Sequence, residues 1–367
     1  MRPELRGYVA RLELQLPRSL SWWARTLDRR HGGYLLSPGE KQLATQSRMV
    51  WVFSHAHRRG LGEYVDIAEK GVAFLLDRFR DPRHGGFFWK TDLAGRVLSN
   101  RKILYGQLFV VYGLVEYSRA SGDRAALDEA RVLFARLAER AHDDTYGGWF
   151  EHARRNWRPF RSHGRGLEVE IVGLKSANAH LHALEAITEL YAETADLGIE
   201  PFLAEAVDLG RKHFYPDDPR ASSSHCERDW SPAGRSASLP GHNAEFAWLL
   251  LGAEDALGRQ PSAVRFDAHV AHALAASRVE RVWWEDAEIL AALATGVARW
   301  GLTQYEDPLR TLLAFLLAHT VDPDDGVWRY SVAADGTPIN PAKVETWKDA
   351  FHEVRATALL IDALSAP

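Results

Sequence analysis

The chain has 367 residues, 46% of them hydrophobic, with a formal net charge of −4 and a single cysteine, Cys226. That composition supports a large core, and the lack of a basic tail or stretch argues against nucleic acid and anionic membrane as partners. No run of about 18 apolar residues is present, so no bilayer span is expected; no internal disulfide is possible, which suits a reducing compartment. The first residues, Met1-Arg-Pro-Glu-Leu-Arg-Gly7, lack a signal-type apolar core, and the expected location is the cytoplasm.

Helical periodicity recurs in almost every long segment. It predicts twelve helices, near 4–27, 41–59, 62–80, 101–120, 123–141, 174–195, 199–214, 241–257, 263–277, 284–299, 303–319 and 347–364. Short breaks such as Arg59-Gly60-Leu61-Gly62, Ser121-Gly122-Asp123 and Trp300-Gly301 join helices in pairs. The longer loops share a pattern: His31-Gly-Gly-Tyr-Leu-Leu36, His84-Gly-Gly-Phe-Phe-Trp89, Tyr146-Gly-Gly-Trp-Phe-Glu151 and Asp325-Gly-Val-Trp-Arg-Tyr330. Each puts glycine before aromatics in a strand-like run, and Asp335-Gly336 suits a hairpin turn. A helix pair plus a Gly-aromatic loop is an internal repeat. Six such pairs close into an all-α (α/α)6 barrel, with short β-hairpin loops at the end where the inner helices face a common cavity. The expected organisation is one catalytic domain over 1–367. The polar loop from Tyr215 to Ser238 reads as a mobile cover. With 13 Trp and 2 Met, the tryptophans beside loop glycines suit a cleft for a hydroxylated ring such as a sugar.

Candidate chemistry lies at the inner-helix starts. Arg48 sits in the apolar segment Thr45-Gln-Ser-Arg-Met-Val-Trp-Val-Phe53 and needs a partner, either a core acid or a ligand. In Lys175-Ser-Ala-Asn-Ala-His-Leu-His-Ala-Leu-Glu185, residues Lys175, Asn178, His182 and Glu185 share one helix face, while His180 points elsewhere. That stripe reads as cavity lining, with an ordinary solvated face as the plainer account. In Ser238-Leu-Pro-Gly-His-Asn-Ala-Glu245, His242 begins a helix, and Glu245 follows one turn later. An acid there can fix the imidazole's tautomer, as proton transfer requires; an incidental histidine at a helix start is the alternative. Val282-Trp-Trp-Glu-Asp-Ala-Glu288 sets Trp284 one turn before Glu288. Glu345-Thr-Trp-Lys-Asp-Ala-Phe-His352 brings Trp347 and His352 into the start of the last helix, with Arg355 one turn beyond. Two histidines, His242 and His352, would then face each other across the barrel. No His-Glu-x-x-His spacing or cysteine cluster is present, so no metal is expected.

Seven stretches taken in order resemble the N-acylglucosamine 2-epimerase superfamily, nearest its cellobiose and mannose 2-epimerase branch. They are Ser47-Arg-Met-Val-Trp-Val-Phe-Ser54, Lys102-Ile-Leu-Tyr-Gly-Gln-Leu-Phe-Val-Val-Tyr112, Tyr146-Gly-Gly-Trp-Phe-Glu151, Asn178-Ala-His-Leu-His-Ala-Leu-Glu185, Gly241-His-Asn-Ala-Glu245, Trp283-Trp-Glu-Asp-Ala-Glu288 and Trp347-Lys-Asp-Ala-Phe-His352. The resemblance implies cofactor-free chemistry at C2 of an open-chain aldose. It implies His242 and His352 as the acid–base pair, Arg48 on the C1 and O2 oxygens, and His182 in ring opening. Glu245 and Glu288 would orient the histidines, Trp284 and Trp347 would stack the sugar, and Tyr105, Asn178 and Glu170 would bind it. Returning a proton to the opposite face of C2 calls for two bases, whereas aldose–ketose isomerisation needs one, so the pair favours epimerisation.

The chain departs from the branch near these residues. Trp347-Lys-Asp-Ala-Phe-His-Glu353 stands where Trp-Lys-x-Pro-Tyr-His-Asn is usual, Gly241-His-Asn243 replaces Gly-His-Asp, and Glu285-Asp286 replaces Pro-Gln. Those changes, with a short chain, bear on the substrate: D-mannose and D-glucose come first, a β-1,4-linked disaccharide next. Rival readings are an aldose–ketose isomerase, a sugar- or protein-binding barrel, and a glycoside hydrolase using two of Glu170, Glu185, Glu245 and Glu288. A homodimer is the base-rate expectation.

Overall fold

The computed structural model describes residues 3–161, 171–234, 239–276 and 279–365. Its helices are α1 (Pro3–Ala24), α2 (Leu43–Arg58), α3 (Val65–Phe74), α4 (Leu104–Ser121), α5 (Arg124–Arg140), α6 (Ala177–Thr194), α7 (Glu200–Leu209), α8 (Pro240–Ala256), α9 (Ala263–Ala275), α10 (Trp283–Trp300), α11 (Glu306–Phe315) and α12 (Phe351–Ser365). Three outer helices, α3, α7 and α11, run on into a π-helical turn at Leu75–Phe79, Gly210–Phe214 and Leu316–Thr320. The same ending every fourth helix is a structural trace of the repeat.

The even-numbered helices pack in succession from α2 to α12, and α12 returns to α2 to close the ring. Each odd-numbered helix lies outside its partner. This is the (α/α)6 barrel, and the sequence explains who goes inside. Helix α4 is buried without interruption from Leu104 to Ser118, as a helix that is apolar on all sides must be. Helix α5 buries only a stripe, including Ala126, Ala130, Leu133 and Leu137, and gives its polar face to water. No helix among the described residues is long and apolar enough to cross a membrane.

Ten short strands lie at one end: β1 (Glu40–Gln42), β2 (Lys90–Asp92), β3 (Val97–Ser99), β4 (Lys102–Ile103), β5 (His152–Ala153), β6 (Lys175–Ser176), β7 (His225–Cys226), β8 (Glu280–Val282), β9 (Ser331–Ala333) and β10 (Pro338–Asn340). They form antiparallel ribbons β1-β2-β3 and β10-β9-β8 and the pairs β4-β5 and β6-β7. Asp335 and Gly336, with φ +88°, turn the β9-β10 hairpin as expected. Strands β1, β4, β6 and β8 run directly into α2, α4, α6 and α10, so the inner helices begin at the hairpin end.

Three of the four Gly-aromatic loops repeat one clamp. In each, an aspartate (Asp28, Asp81, Asp143) donates its N–H to the carbonyl of the second glycine (Gly33, Gly86, Gly148) at 2.8 Å. Its carboxylate meets a lysine from the strand before the next inner helix: Lys41 at 2.8 Å, Lys102 at 3.2 Å, Lys175 at 3.3 Å. A residue in the following helical turn then reaches back to the aromatic run. Gln46 accepts from the N–H of Tyr34, Gln107 from that of Phe87 and His180 from that of Trp149. Gly148 lies so close to Trp230 and His180 that a Cβ there would come within 2.6 Å of the indole.

These clamps correct several expectations. Helices α2, α4 and α6 begin two or three residues later than periodicity suggests, because the lysine stretches pair as strands. Lys175 therefore leaves the face of Asn178, His182 and Glu185 for the rim, while His180 does point elsewhere. The last helix starts at Phe351, so Trp347 precedes it. The chain does hold one basic stretch, Arg154-Arg-Asn-Trp-Arg-Pro-Phe-Arg161, with four arginines in eight residues. Arg155 is paired with Asp81, and Arg154 lies over Phe160. The described part of the 215–238 loop is tied down: Arg228 donates to both Asp143 oxygens at 2.7 and 2.8 Å, and the Trp230 indole donates to the Tyr146 carbonyl at 2.7 Å.

Candidate active site

A cavity of about 280 Å³ opens at the hairpin end, lined from every inner helix. Helix α2 brings Arg48, α4 Tyr105, α6 Asn178 and His182, and α8 His242 and Glu245. Helix α10 brings Trp283 and Trp284, the loop before α12 brings Trp347, and α12 brings His352; Leu239 and Tyr330 complete the wall. The residues picked from sequence thus converge, with two exceptions. Glu288 stands behind the wall, bonded to His352, and Glu170 lies outside the described residues. Trp284 is the common neighbour of the two predicted acid–base groups, with ring centroids 5.1 Å from His242 and 6.0 Å from His352.

Arg48 does have a partner. It donates to the Tyr105 hydroxyl at 2.5 Å and lies 3.7 Å from Asp349, with its guanidinium over the Phe109 and Phe351 rings. Nearby Asp349 is pushed up by burial, which Arg48 only partly offsets.

Below the cavity floor the carboxylates converge on one cation. Arg355 donates through Nη1 to Glu185 and through Nη2 to Glu245 at 2.6 Å and Glu288 at 2.7 Å. Glu185 also accepts from His182 Nδ1 at 2.8 Å, and Glu288 from His352 Nδ1 at 2.7 Å. The second Glu288 oxygen takes the Trp248 indole N–H at 2.9 Å. A carboxylate on Nδ1–H leaves Nε2 as the basic nitrogen. Glu245, expected to orient His242, gives its Oε1 to Arg355 and so ties α8 to α12.

Burial dominates the charge states. It holds the His352 imidazole down at about 3, although Glu288 works the other way. It also lowers His182 well below the usual range, helped by Arg48 and Arg355. Burial and repulsion from Glu288 push Glu245 well up. Burial opposes the charge on Glu288 too, but Arg355 and His352 prevail and hold it ionised. Both buried imidazoles are therefore neutral at pH 7 and able to accept a proton.

Ligand atoms of Glu245, Glu288 and His352 lie within 4.8 Å of one another, close enough to suggest a metal. Arg355 already donates to both carboxylates there, so an ion would have to displace a guanidinium. The same bonds tie up Glu185, Glu245 and Glu288, which a hydrolase would need free on either side of a glycosidic bond.

Sequence reasoning noted Arg355 but gave it no task. A signal was available: Arg48, His182, Glu288 and Arg355 each lie seven residues after a basic rim residue, Lys41, Lys175, Arg281 and Lys348. The same offset places each near the start of its inner helix, α2, α6, α10 or α12.

The model of the N-acylglucosamine 2-epimerase family matches residues 30–277 and 265–356. The chain belongs to that family. Among solved structures, the cellobiose 2-epimerase of Spirochaeta thermophila DSM 6192 superposes with a TM-score of 0.91 at 28% identity, over 99% of this chain and 98% of its own. A cellobiose 2-epimerase of Dictyoglomus turgidum is 26% identical over 92% of this chain and 93% of its own. A D-mannose isomerase of Thermobifida fusca is 26% identical over 85% and 82%. The epimerase-family chain described here is accordingly an isomerase of the carbohydrate 2-epimerase class.

Proposed function

We propose that the enzyme epimerises C2 of an open-chain reducing-end aldose, interconverting D-mannose and D-glucose through a cis-enediolate, with His242 and His352 as the two bases. The observation that carries this reading is the presence of both imidazoles and the Arg48 guanidinium in one cavity. One imidazole takes the C2 proton. The C–H electron pair becomes the C1=C2 bond, and the carbonyl pair moves onto O1, where Arg48 offers positive charge. The other imidazole, protonated, returns a proton to the opposite face of C2 as the C1 carbonyl re-forms. The two then stand in exchanged protonation states. His182 serves ring opening, Tyr105 and Asn178 hold hydroxyls, and Trp284 and Trp347 stack the ring. No cofactor enters these steps.

A cavity near the small end of the usual ligand-site range supports a monosaccharide. Likeness along the whole chain to cellobiose 2-epimerases supports a β-1,4-linked disaccharide as the second reading. Proton NMR in D2O with D-mannose, then with cellobiose, separates them. Glucose deuterated at C2 is the expected product. Change with cellobiose alone moves the substrate to the disaccharide, and fructose as sole product makes the enzyme an aldose–ketose isomerase.

A further inference from the structure

We propose that Arg355 is a positioning residue: its one guanidinium, shared by Glu185, Glu245 and Glu288, sets the orientation and protonation of the site histidines. The inference rests on the acid–base reading above and adds the device that keeps the bases in step.

The geometry is specific. Arg355 leaves α12 and bonds a carboxylate on each of three other inner helices, α6, α8 and α10. Its plane lies against Phe351 at 4.3 Å and Trp248 at 4.8 Å, so the fork is held as well as charged. Two of the three carboxylates pass the constraint on, Glu185 to His182 and Glu288 to His352. The third, Glu245, lies one turn beyond His242 on the same helix. The remaining inner helices face the cluster with Arg48 of α2 and Tyr112 of α4, both felt electrostatically.

The charge count gives the device its chemistry. Three carboxylates share one buried guanidinium, so the histidines complete the hydrogen bonding without being charged. A positive Arg355 disfavours imidazolium at both His182 and His352. Lysine could keep the charge but not the fork, because an ammonium is a point donor. Arg355 also borders a second cavity of about 150 Å³ with His55, Glu116 and Arg119.

The test compares Arg355→Lys and Arg355→Met by imidazole NMR titration without substrate and by steady-state kinetics across pH. The His352 resonance is assigned with His352→Gln. Arg355→Lys is expected to leave the His352 titration near that of the wild type. Its kcat should fall on the order of 10²-fold, the scale of a small misplacement of reacting groups, with little change in KM. Arg355→Met is expected to raise the His352 titration and move the acid limb of kcat/KM to higher pH. An unmoved His352 titration in folded Arg355→Met overturns the proposal, as does wild-type kcat in Arg355→Lys. If Arg355→Met does not fold, the lysine variant decides alone. If the wild type acts on none of the sugars tested, the acid–base reading fails, and the titrations still judge Arg355.

Discussion

At the rim of the barrel, Lys41, Lys102 and Lys175 each face one aspartate; beneath the cavity, Arg355 faces three glutamates. Both regions bury cations against carboxylates, but the ratios differ and so do the consequences. At the rim every acid has at least one cation, Asp81 taking Arg155 and Asp143 taking Arg228 besides their lysines, and backbone N–H groups complete the acid. Burial resists the charge on Asp28, yet Lys41 and the amides of His31 and Arg30 hold its carboxyl at about 2. The acid of such a pair is ionised at any ordinary pH, and the pair works as a fastener. At the floor, acids outnumber the cation. Glu245 is pushed up while Glu288 is held down, and histidines fill the remaining bonds. Charge states displaced in this way are characteristic of sites that carry out chemistry.

The largest expected effect lies at the cavity. His352→Ala and His242→Ala should each lower kcat/KM by about 10²–10⁴-fold, the usual contribution of a positioned acid or base. Far-ultraviolet circular dichroism should be unchanged. If both variants keep wild-type activity, the two-base mechanism is wrong. At the rim the signs reverse. Asp81→Ala strands Lys102, whose side chain has 0% exposure and which burial already lowers to about 8. Removing one partner of a buried pair typically costs about 3–5 kcal/mol. Denaturant unfolding should show that loss, while kcat of the folded fraction stays close to wild type.

The pH response should divide the regions again. In the direction in which His352 takes the C2 proton its neutral form is the active one, and its folded-state value is depressed. The plateau in kcat/KM should therefore persist as pH falls through the ordinary histidine value of about 6.5 and decline only toward about 3. The same depression affects stability. The unfolded chain takes up a proton below about 6.5, while folded His352 does not until about 3. Between those values His352 makes the fold less stable as pH falls. The rim aspartates act in the same direction, in a lower pH window. Their stabilisation is present above the unfolded aspartate value and is lost only in strong acid. Rates and melting temperatures measured across the same pH series check both; an acid limb near neutrality would contradict the buried, neutral His352.

What could be read from sequence follows the same division. The inner and outer helices announce themselves by period and polarity, because burial on all sides and burial on one stripe demand different patterns. Arg48, His182, His242 and His352 stood out because a polar side chain in an apolar helix needs a reason. Lys175 was misread because a lysine ahead of a helix continues the helical spacing; only the partner strand, β7, makes it extended. Arg355 was passed over because its partners, Glu185, Glu245 and Glu288, lie 67 to 170 residues away in the chain. Nothing local marks such a convergence. The constant offset from the basic rim residues does, once the barrel's register is known.

The smallest effect comes from a third kind of pair, and it tests whether burial is what separates the first two. Arg299 and Asp255 form a two-bond pair at 2.6 and 2.8 Å, as short as those at the floor. Their side chains are 37% and 45% exposed. Water screens the attraction and solvates either partner left alone, so such pairs contribute at most about 1 kcal/mol. Arg299→Ala should therefore shift the unfolding midpoint little and leave kcat alone. Should it cost as much as Asp81→Ala, hydrogen-bond geometry rather than burial would govern these pairs, and the contrast between rim and floor would have to rest on charge ratio alone.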